Sequence, residues 1–136
     1  AIAADDFDGP NGLAFSPDER RLYVSETGDQ TQERPRQFIR MFEVGPDNGL
    51  SGGEVFHTVS PGYCDGLKVD EDGNVWSSAA DGVHCLSPEG RLLGKVLVPH
   101  RVANVCWGGL HRNRLFIAGS QRLYAIFLNR RGVAFP

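Results

Sequence analysis

The sequence predicts an all-β fold made of three copies of one repeat. Each copy opens with a polar residue followed by a short apolar strand, in Asn11-Gly12-Leu13-Ala14-Phe15, Asp65-Gly66-Leu67-Lys68-Val69 and Asn104-Val105-Cys106-Trp107. A second apolar run, with an aromatic residue at the matching place, follows at residues 22–25, 75–78 and 115–118. Apolar residues recur with a spacing of two, and glycine or proline interrupts the chain at short intervals, which argues against long helices.

Each repeat continues in the same way beyond its second strand. Third strands are predicted at residues 38–42, 82–86 and 122–126, and fourth strands at residues 53–56 and 94–98. The third repeat ends in a short segment at residues 133–136. Four short antiparallel strands joined by tight turns form a meander, and meanders repeated around an axis are the blades of a β-propeller. We therefore expect one partial propeller domain, 1–136, with blades at 9–60, 61–100 and 101–136 and residues 1–8 as the tail of a preceding blade.

The composition is that of one soluble globular domain. The chain has 136 residues, a formal net charge of −3 and 40% hydrophobic residues. A mildly acidic balance argues against a nucleic-acid partner, and no apolar stretch approaches the roughly 20 residues of a membrane span. The three cysteines, Cys64, Cys85 and Cys106, form no CxxC pair. This pattern favours a reducing, cytoplasmic compartment over a disulfide framework.

One long polar insertion, residues 27–37, separates the second and third strands of the first repeat. Loops of this length in compact folds often form lids or binding edges, although a plain surface loop is equally consistent with the sequence. Two arginines in the insertion, Arg34 and Arg36, are candidates for contact with an anionic substrate.

The residues that open the repeats are candidate metal ligands. The first strand of a propeller blade lines the central channel, so Asn11 and Asp65 would meet there although they are far apart in sequence. Amide and carboxylate oxygens are hard ligands suited to calcium, magnesium or manganese. Asn-Gly and Asp-Gly pairs also form ordinary turns, and the spacing alone leaves both interpretations open. Asn104 is the weaker candidate, because Val105 and not glycine follows it.

A second stretch, residues 70–74, superficially resembles a calcium loop. An EF-hand requires glycine at its sixth position and glutamate at its twelfth, where this chain has Val75 and Asp81. We predict a hairpin turn there.

Taken together, these phrases resemble the family of senescence marker protein 30, gluconolactonases and related lactone hydrolases. The resemblance rests on Gly9-Pro10-Asn11-Gly12-Leu13-Ala14-Phe15-Ser16-Pro17-Asp18, on Cys64-Asp65-Gly66-Leu67-Lys68-Val69-Asp70 with Gly73-Asn74-Val75-Trp76, and on Ala103-Asn104-Val105-Cys106-Trp107-Gly108-Gly109. It covers nearly the whole chain and keeps three motifs in the family's order.

The resemblance implies a six-bladed propeller with one divalent cation near the top of its channel. It implies that Asn11 and Asp65 are two of three protein ligands and that Asp65 is also the catalytic base. Calcium is the expected cation, with magnesium, manganese or zinc as alternatives. The family's third ligand, a glutamate in the opening blade, has no counterpart here. We therefore expect the C-terminal half of a lactonase that opens a sugar lactone such as gluconolactone, with Asn104, Arg34 and Arg36 near the substrate.

A chain that forms only half of a propeller allows other interpretations. We expect weak metal binding and little activity unless the ring is completed, either by an N-terminal half or by a second copy in a homodimer. The alternatives are a non-catalytic interaction module, a self-associating half-propeller, or a sequence with no function of its own.

Overall fold

The computed structural model describes residues 1–33 and 35–134, which form three antiparallel sheets. The first sheet contains β1 (Pro10–Phe15), β2 (Arg21–Glu26), β3 (Phe38–Val44) and β4 (Leu50–His57). The second contains β5 (Leu67–Val69), β6 (Val75–Ala79), β7 (Gly82–Leu86) and β8 (Leu92–Leu97). The third contains β9 (Val102–Gly108), β10 (Arg114–Gly119) and β11 (Arg122–Phe127).

The strands of each sheet pair in sequence order, so every sheet is a meander. This confirms the prediction of an all-β chain with about three propeller blades. The third sheet has three strands, and the segment after β11 reaches back to the second sheet, where Gly132 bridges Asp70. Of the stub predicted at 133–136, the last two residues lie outside the described part. Nowhere in the described residues is there a helix with the length and apolar character needed to cross a membrane.

Two apolar cores hold the three sheets together. Tyr23 belongs to the core between the first and second sheets, where its ring lies 4.8 Å from that of Phe56. Trp76, at the matching place of the second repeat, belongs to the next core and meets the ring of Trp107 edge-on at 5.3 Å. Each repeat thus directs its aromatic residue at the sheet that follows. Phe116, the third in the series, is followed by no further sheet in the described residues and is half-buried.

The two outer faces of the stack differ. On the first sheet, the N-terminal segment covers the face: Phe7 lies 5.8 Å from Phe42 between ring centroids, and Asp6 pairs with Arg40 at 2.8 Å. On the third sheet the outer face is open, and Leu123 and Phe127 are 73% and 69% exposed. In the described part of the chain, the outer face of the third sheet is therefore the less covered of the two.

The stretch 70–74 is a hairpin turn, as predicted, and its first carboxylate serves the turn. The buried carboxylate of Asp70 accepts hydrogen bonds from the backbone N–H groups of Asp72 (3.0 Å) and Asn74 (2.9 Å). The side-chain amide of Asn74 and the indole N–H of Trp76 also donate to it, each at 2.9 Å. With its oxygens occupied by four donors, Asp70 fixes the turn between β5 and β6.

We expect Asp70→Ala to lower the free energy of unfolding by about 3 kcal/mol, because buried N–H donors would lose their acceptor. Asp72→Ala is the matched control, since that carboxylate forms an exposed ion pair with Arg130 and such pairs contribute little. Chemical denaturation of both variants measures the difference. Equal losses in the two variants would contradict the structural role of Asp70.

The three thiols differ in reactivity because they differ in burial. Burial raises the pKa of Cys64 to about 11 and that of the half-buried Cys85 to about 11. Cys106 is exposed. Since the thiolate is the reactive form, we expect iodoacetamide at about pH 8, near the ordinary thiol pKa, to label Cys106 first. Peptide mass mapping over time would show this order, and labelling of Cys64 at the same rate as Cys106 would contradict the packing.

Candidate functional site

The first two repeat-opening residues meet in the structure. The side-chain amide of Asn11 donates a hydrogen bond of 2.9 Å to the Asp65 carboxylate, across 54 positions of sequence. Asn11 stands at the start of β1 and Asp65 just before β5, the first strands of two adjacent sheets. Both line a surface cavity of about 430 Å³ with Asn104 of the third repeat. Repetition of the blade therefore brings the three candidates to one place.

A β-bulge presents Asn11 to the cavity. The pairing of β1 with β2 matches Pro10 to Glu26, then shifts before it resumes at Leu13. Asn11 and Gly12 occupy the shifted stretch. A bulge inserts a residue into one strand and re-aims the side chains around it. Asn11 thereby leaves the regular alternation of β1.

Glycine follows Asn11 and Asp65 because adjacent sheets touch there through their backbones. The N–H of Gly12 donates to the carbonyl of Asp65 at 2.9 Å, and the N–H of Gly66 donates to the carbonyl of Ala103 at 2.8 Å. A Cβ on Gly12 would collide with the Asp65 carbonyl oxygen, and one on Gly66 would collide with the Asn104 side chain. The Asn-Gly and Asp-Gly pairs thus have a packing role that does not depend on turn formation.

Asn104 is held differently from the first two residues. Asn104 is itself paired with Ala118, next to a register shift that skips Ala103, and its side-chain oxygen accepts a hydrogen bond of 2.8 Å from the N–H of Val105. Its side chain is exposed in the same cavity. Asn104 therefore lies where a bound molecule could reach its amide group.

Of the two arginine candidates in the 27–37 insertion, the structure describes one. Arg34 lies outside the described residues. Arg36 is engaged by the N-terminal segment: its guanidinium donates to the Asp8 carboxylate at 2.7 and 3.0 Å and to the carbonyl of Asp6 at 2.8 Å. The hydrogen bond with Asp8 raises the pKa of Arg36 above its ordinary value. Contact of Arg36 with a substrate remains a prediction. It would require the Arg36 guanidinium to break its ion pair with Asp8.

Glu26 was missed by the sequence reasoning although it supports the site. Its buried carboxylate accepts hydrogen bonds from the N–H groups of Gly9 (2.6 Å), Asp8 (3.2 Å) and Gly28 (3.2 Å). These contacts fix the segment that leads into Asn11 and the beginning of the long insertion. A charged residue that ends an apolar strand was the only available signal.

Lys68 was also missed, and it lines the cavity. In the sequence it reads as the solvent-facing residue of an alternating strand. The convergence of three repeats brings its strand, β5, to the cavity.

The donor set has the chemistry of a hard-cation site but low charge. Asp65 offers one carboxylate, and Asn11 and Asn104 offer amide oxygens, which are the ligand types that calcium and magnesium prefer. The amide nitrogen of Asn11 faces Asp65, so binding would require the amide to turn its oxygen inward. In the described part of the chain, no group of three or more His, Cys, Asp or Glu side chains is arranged to hold a metal. Asn11 and Asp65 fit two ligand positions of a cation site.

Comparison with known proteins identifies the family. The profile described as the SMP-30/Gluconolactonase/LRE-like region matches residues 1–121. The chain belongs to this family of propeller proteins.

Individual relatives agree. The gluconolactonase of Zymomonas mobilis is 32% identical over 127 residues, which cover 86% of this chain and 34% of the relative. The 6-deoxy-6-sulfogluconolactonase of Pseudomonas putida is 33% identical over 88% of this chain and 41% of its own length. The solved gluconolactonase of Xanthomonas campestris superposes with a TM-score of 0.82 at 35% identity, over 97% of this chain and 40% of that structure. This chain therefore spans well under half the length of each.

We expect Gly12→Ala to destabilise the chain by about 1–3 kcal/mol, because the added methyl group would force the first two sheets apart. Gly94→Ala in β8 is the matched control, since its Cβ would meet nothing within 4 Å. Thermal unfolding of both variants measures the effect. Equal melting temperatures would show that the sheets can separate at Gly12 without loss.

Proposed function

We propose that this chain supplies part of the active site of a divalent-metal-dependent hydrolase that opens sugar lactones to aldonic acids. The observation that carries the proposal is the contact between Asn11 and Asp65 in a cavity shared with Asn104. Membership in the gluconolactonase family and relatives described as sugar lactonases support the reaction class. Because the chain matches only part of the length of those relatives, their activity is proposed for this chain.

Asn11 and Asp65 are the residues of this chain that would hold the cation. Calcium is the first candidate, because Asn11 and Asp65 offer amide and carboxylate oxygens, with magnesium, manganese or zinc as alternatives. A bound divalent cation would supply Lewis-acid polarisation of the lactone carbonyl. A single carboxylate and the nearby Lys68 ammonium predict weak binding by this chain alone.

The Asp65 carboxylate performs the proton transfers in this proposal. It accepts a proton from the attacking water as the water oxygen bonds to the lactone carbonyl carbon. The bond between that carbon and the ring oxygen then breaks, and the ring oxygen takes the proton from Asp65. The product is a hydroxy acid whose new carboxyl group ionises into solvent. Lys68 adds positive charge near the oxyanion that forms on the carbonyl oxygen.

Asn104 and the two arginines of the insertion would bind the rest of the substrate. An amide group pairs readily with sugar hydroxyls as donor and acceptor, and Asn104 is exposed in the cavity for that purpose. Arg34 and Arg36 remain candidates for contact with an anionic substituent of the substrate. The free thiols of Cys64, Cys85 and Cys106 support a reducing, cytoplasmic location.

A second candidate function is self-association through the third sheet. Its open outer face carries the exposed side chains of Leu123 and Phe127, and uncovered apolar sheets of this kind mark association surfaces. The covered first sheet favours one contact face over a closed ring of two copies. Sedimentation equilibrium distinguishes the cases, and a well-folded monomer at high concentration would contradict self-association.

Calorimetric titration of calcium into this chain tests the metal site. We expect weak binding that Asp65→Ala abolishes and that Asn11→Ala weakens by about tenfold. Asp72→Ala is the control, because it removes a carboxylate at the opposite end of β5. Equal affinities in Asp65→Ala and Asp72→Ala would exclude Asp65 as a ligand.

Hydrolysis of gluconolactone tests the reaction. We expect slow turnover that a chelator stops and that Asp65→Ala reduces by at least about 100-fold, the usual contribution of a general base. Turnover is followed with a pH indicator, because each opened ring releases a proton. Activity indifferent to both the chelator and Asp65→Ala would favour a binding module over an enzyme.

A further inference from the structure

Two buried serines occupy the same place in the first two repeats and contact the backbone of the candidate site. Ser25 and Ser78 each close the second strand-like run of their repeat, and Ala118 stands at that place in the third. Ser25 and Ser78 are buried. Both hydroxyls lie beside the glycine that follows a candidate ligand.

The contacts of Ser78 determine where Asp65 sits. Its Oγ accepts a hydrogen bond of 2.8 Å from the N–H of Asp65 and one of 3.2 Å from the N–H of Gly66. The second N–H also donates to the carbonyl of Ala103. One hydroxyl thus fixes the two peptide groups that flank the Asp65 side chain.

The contacts of Ser25 tie the two ligands to each other. Its Oγ accepts a hydrogen bond of 2.7 Å from the N–H of Gly12 and donates towards the carbonyl of Asp65 at 2.7 Å. Gly12 follows Asn11 in the bulge. The hydroxyl therefore bridges the segment that carries Asn11 and the segment that carries Asp65.

The third repeat has neither the glycine nor the serine. Val105 replaces the glycine and Ala118 replaces the serine. Asn104 itself pairs with Ala118, and the register of β9 shifts just before it, between Val102 and Asn104. Serine and glycine thus occur together beside Asn11 and Asp65 and are both missing beside Asn104.

We propose that Ser25 and Ser78 are positioning residues that set the geometry of Asn11 and Asp65. This inference rests on the proposed metal site for its functional meaning. In this proposal neither hydroxyl touches the bound cation. Each one acts on the backbone next to Asn11 or Asp65. Partners of this kind, behind the ligands, typically change metal affinity by about 10- to 100-fold.

Ser77 provides the matched control. It is buried in the same strand as Ser78, and its Oγ donates to the neighbouring carbonyl of Ser78 at 2.9 Å. Ser77→Ala therefore removes one buried hydroxyl from β6 without touching the peptide groups beside Asp65. Any general cost of a lost core hydroxyl is common to both variants.

Calcium titrations of the chain and of its Ser78→Ala, Ser25→Ala and Ser77→Ala variants test the proposal. We expect Ser78→Ala to weaken binding by about tenfold or more, Ser25→Ala to weaken it less, and Ser77→Ala to leave it within about twofold. Ser78→Thr, which keeps the hydroxyl, should recover part of the loss. Equal affinities of Ser78→Ala and Ser77→Ala would overturn the proposal.

Amide hydrogen exchange separates this inference from the proposed metal site. If the unaltered chain binds no cation, the metal site fails, and exchange at Asp65 and Gly66 then decides the positioning role. Faster exchange at these two amides in Ser78→Ala, with no change in Ser77→Ala, supports it, and unchanged exchange refutes it. If Ser78→Ala does not fold, exchange at Gly12 in Ser25→Ala gives the same decision.

Discussion

The structure depends on a backbone contact that recurs between adjacent sheets. The N–H of Gly12 donates to the carbonyl of Asp65, and one repeat further along the N–H of Gly66 donates to the carbonyl of Ala103. Buried peptide groups must find partners, and here they find them in the next sheet. The first strands can approach this closely only where no Cβ intervenes. This contact sets both the spacing of the sheets and the place where their first side chains converge.

Fold and site are therefore consequences of one constraint. Because the glycines bring adjacent backbones together, the residues just before them, Asn11 and Asp65, must lie side by side. The apolar cores on either side, built around Tyr23 and Trp76, hold the sheets at that separation. A change that loosens the cores would also widen the gap between the two candidate ligands. Stability and ligand geometry are coupled through the same few residues.

The sequence predicted the fold well because its signals repeat. Apolar alternation and turn glycines located every strand of the first two sheets, and the matched aromatics at Tyr23 and Trp76 marked the repeat. The convergence of Asn11, Asp65 and Asn104 also followed from repetition. The Arg36–Asp8 pair could not be predicted, because a loop arginine shows no local pattern that names its partner. The hydrogen bonds to Glu26 could not be predicted either. Their three donors are backbone N–H groups, which every residue type except proline has.

The differences among the three copies carry as much information as their similarity. All three copies have alternating strands and an aromatic residue at the matching place. Glycine after the opening residue and serine at the end of the second run are needed only where a side chain must be held against the next sheet. The third copy has Val105 and Ala118 instead, and there the opening asparagine bonds to its own neighbour. The features shared by all copies build the fold, and those restricted to the first two copies coincide with the candidate ligands.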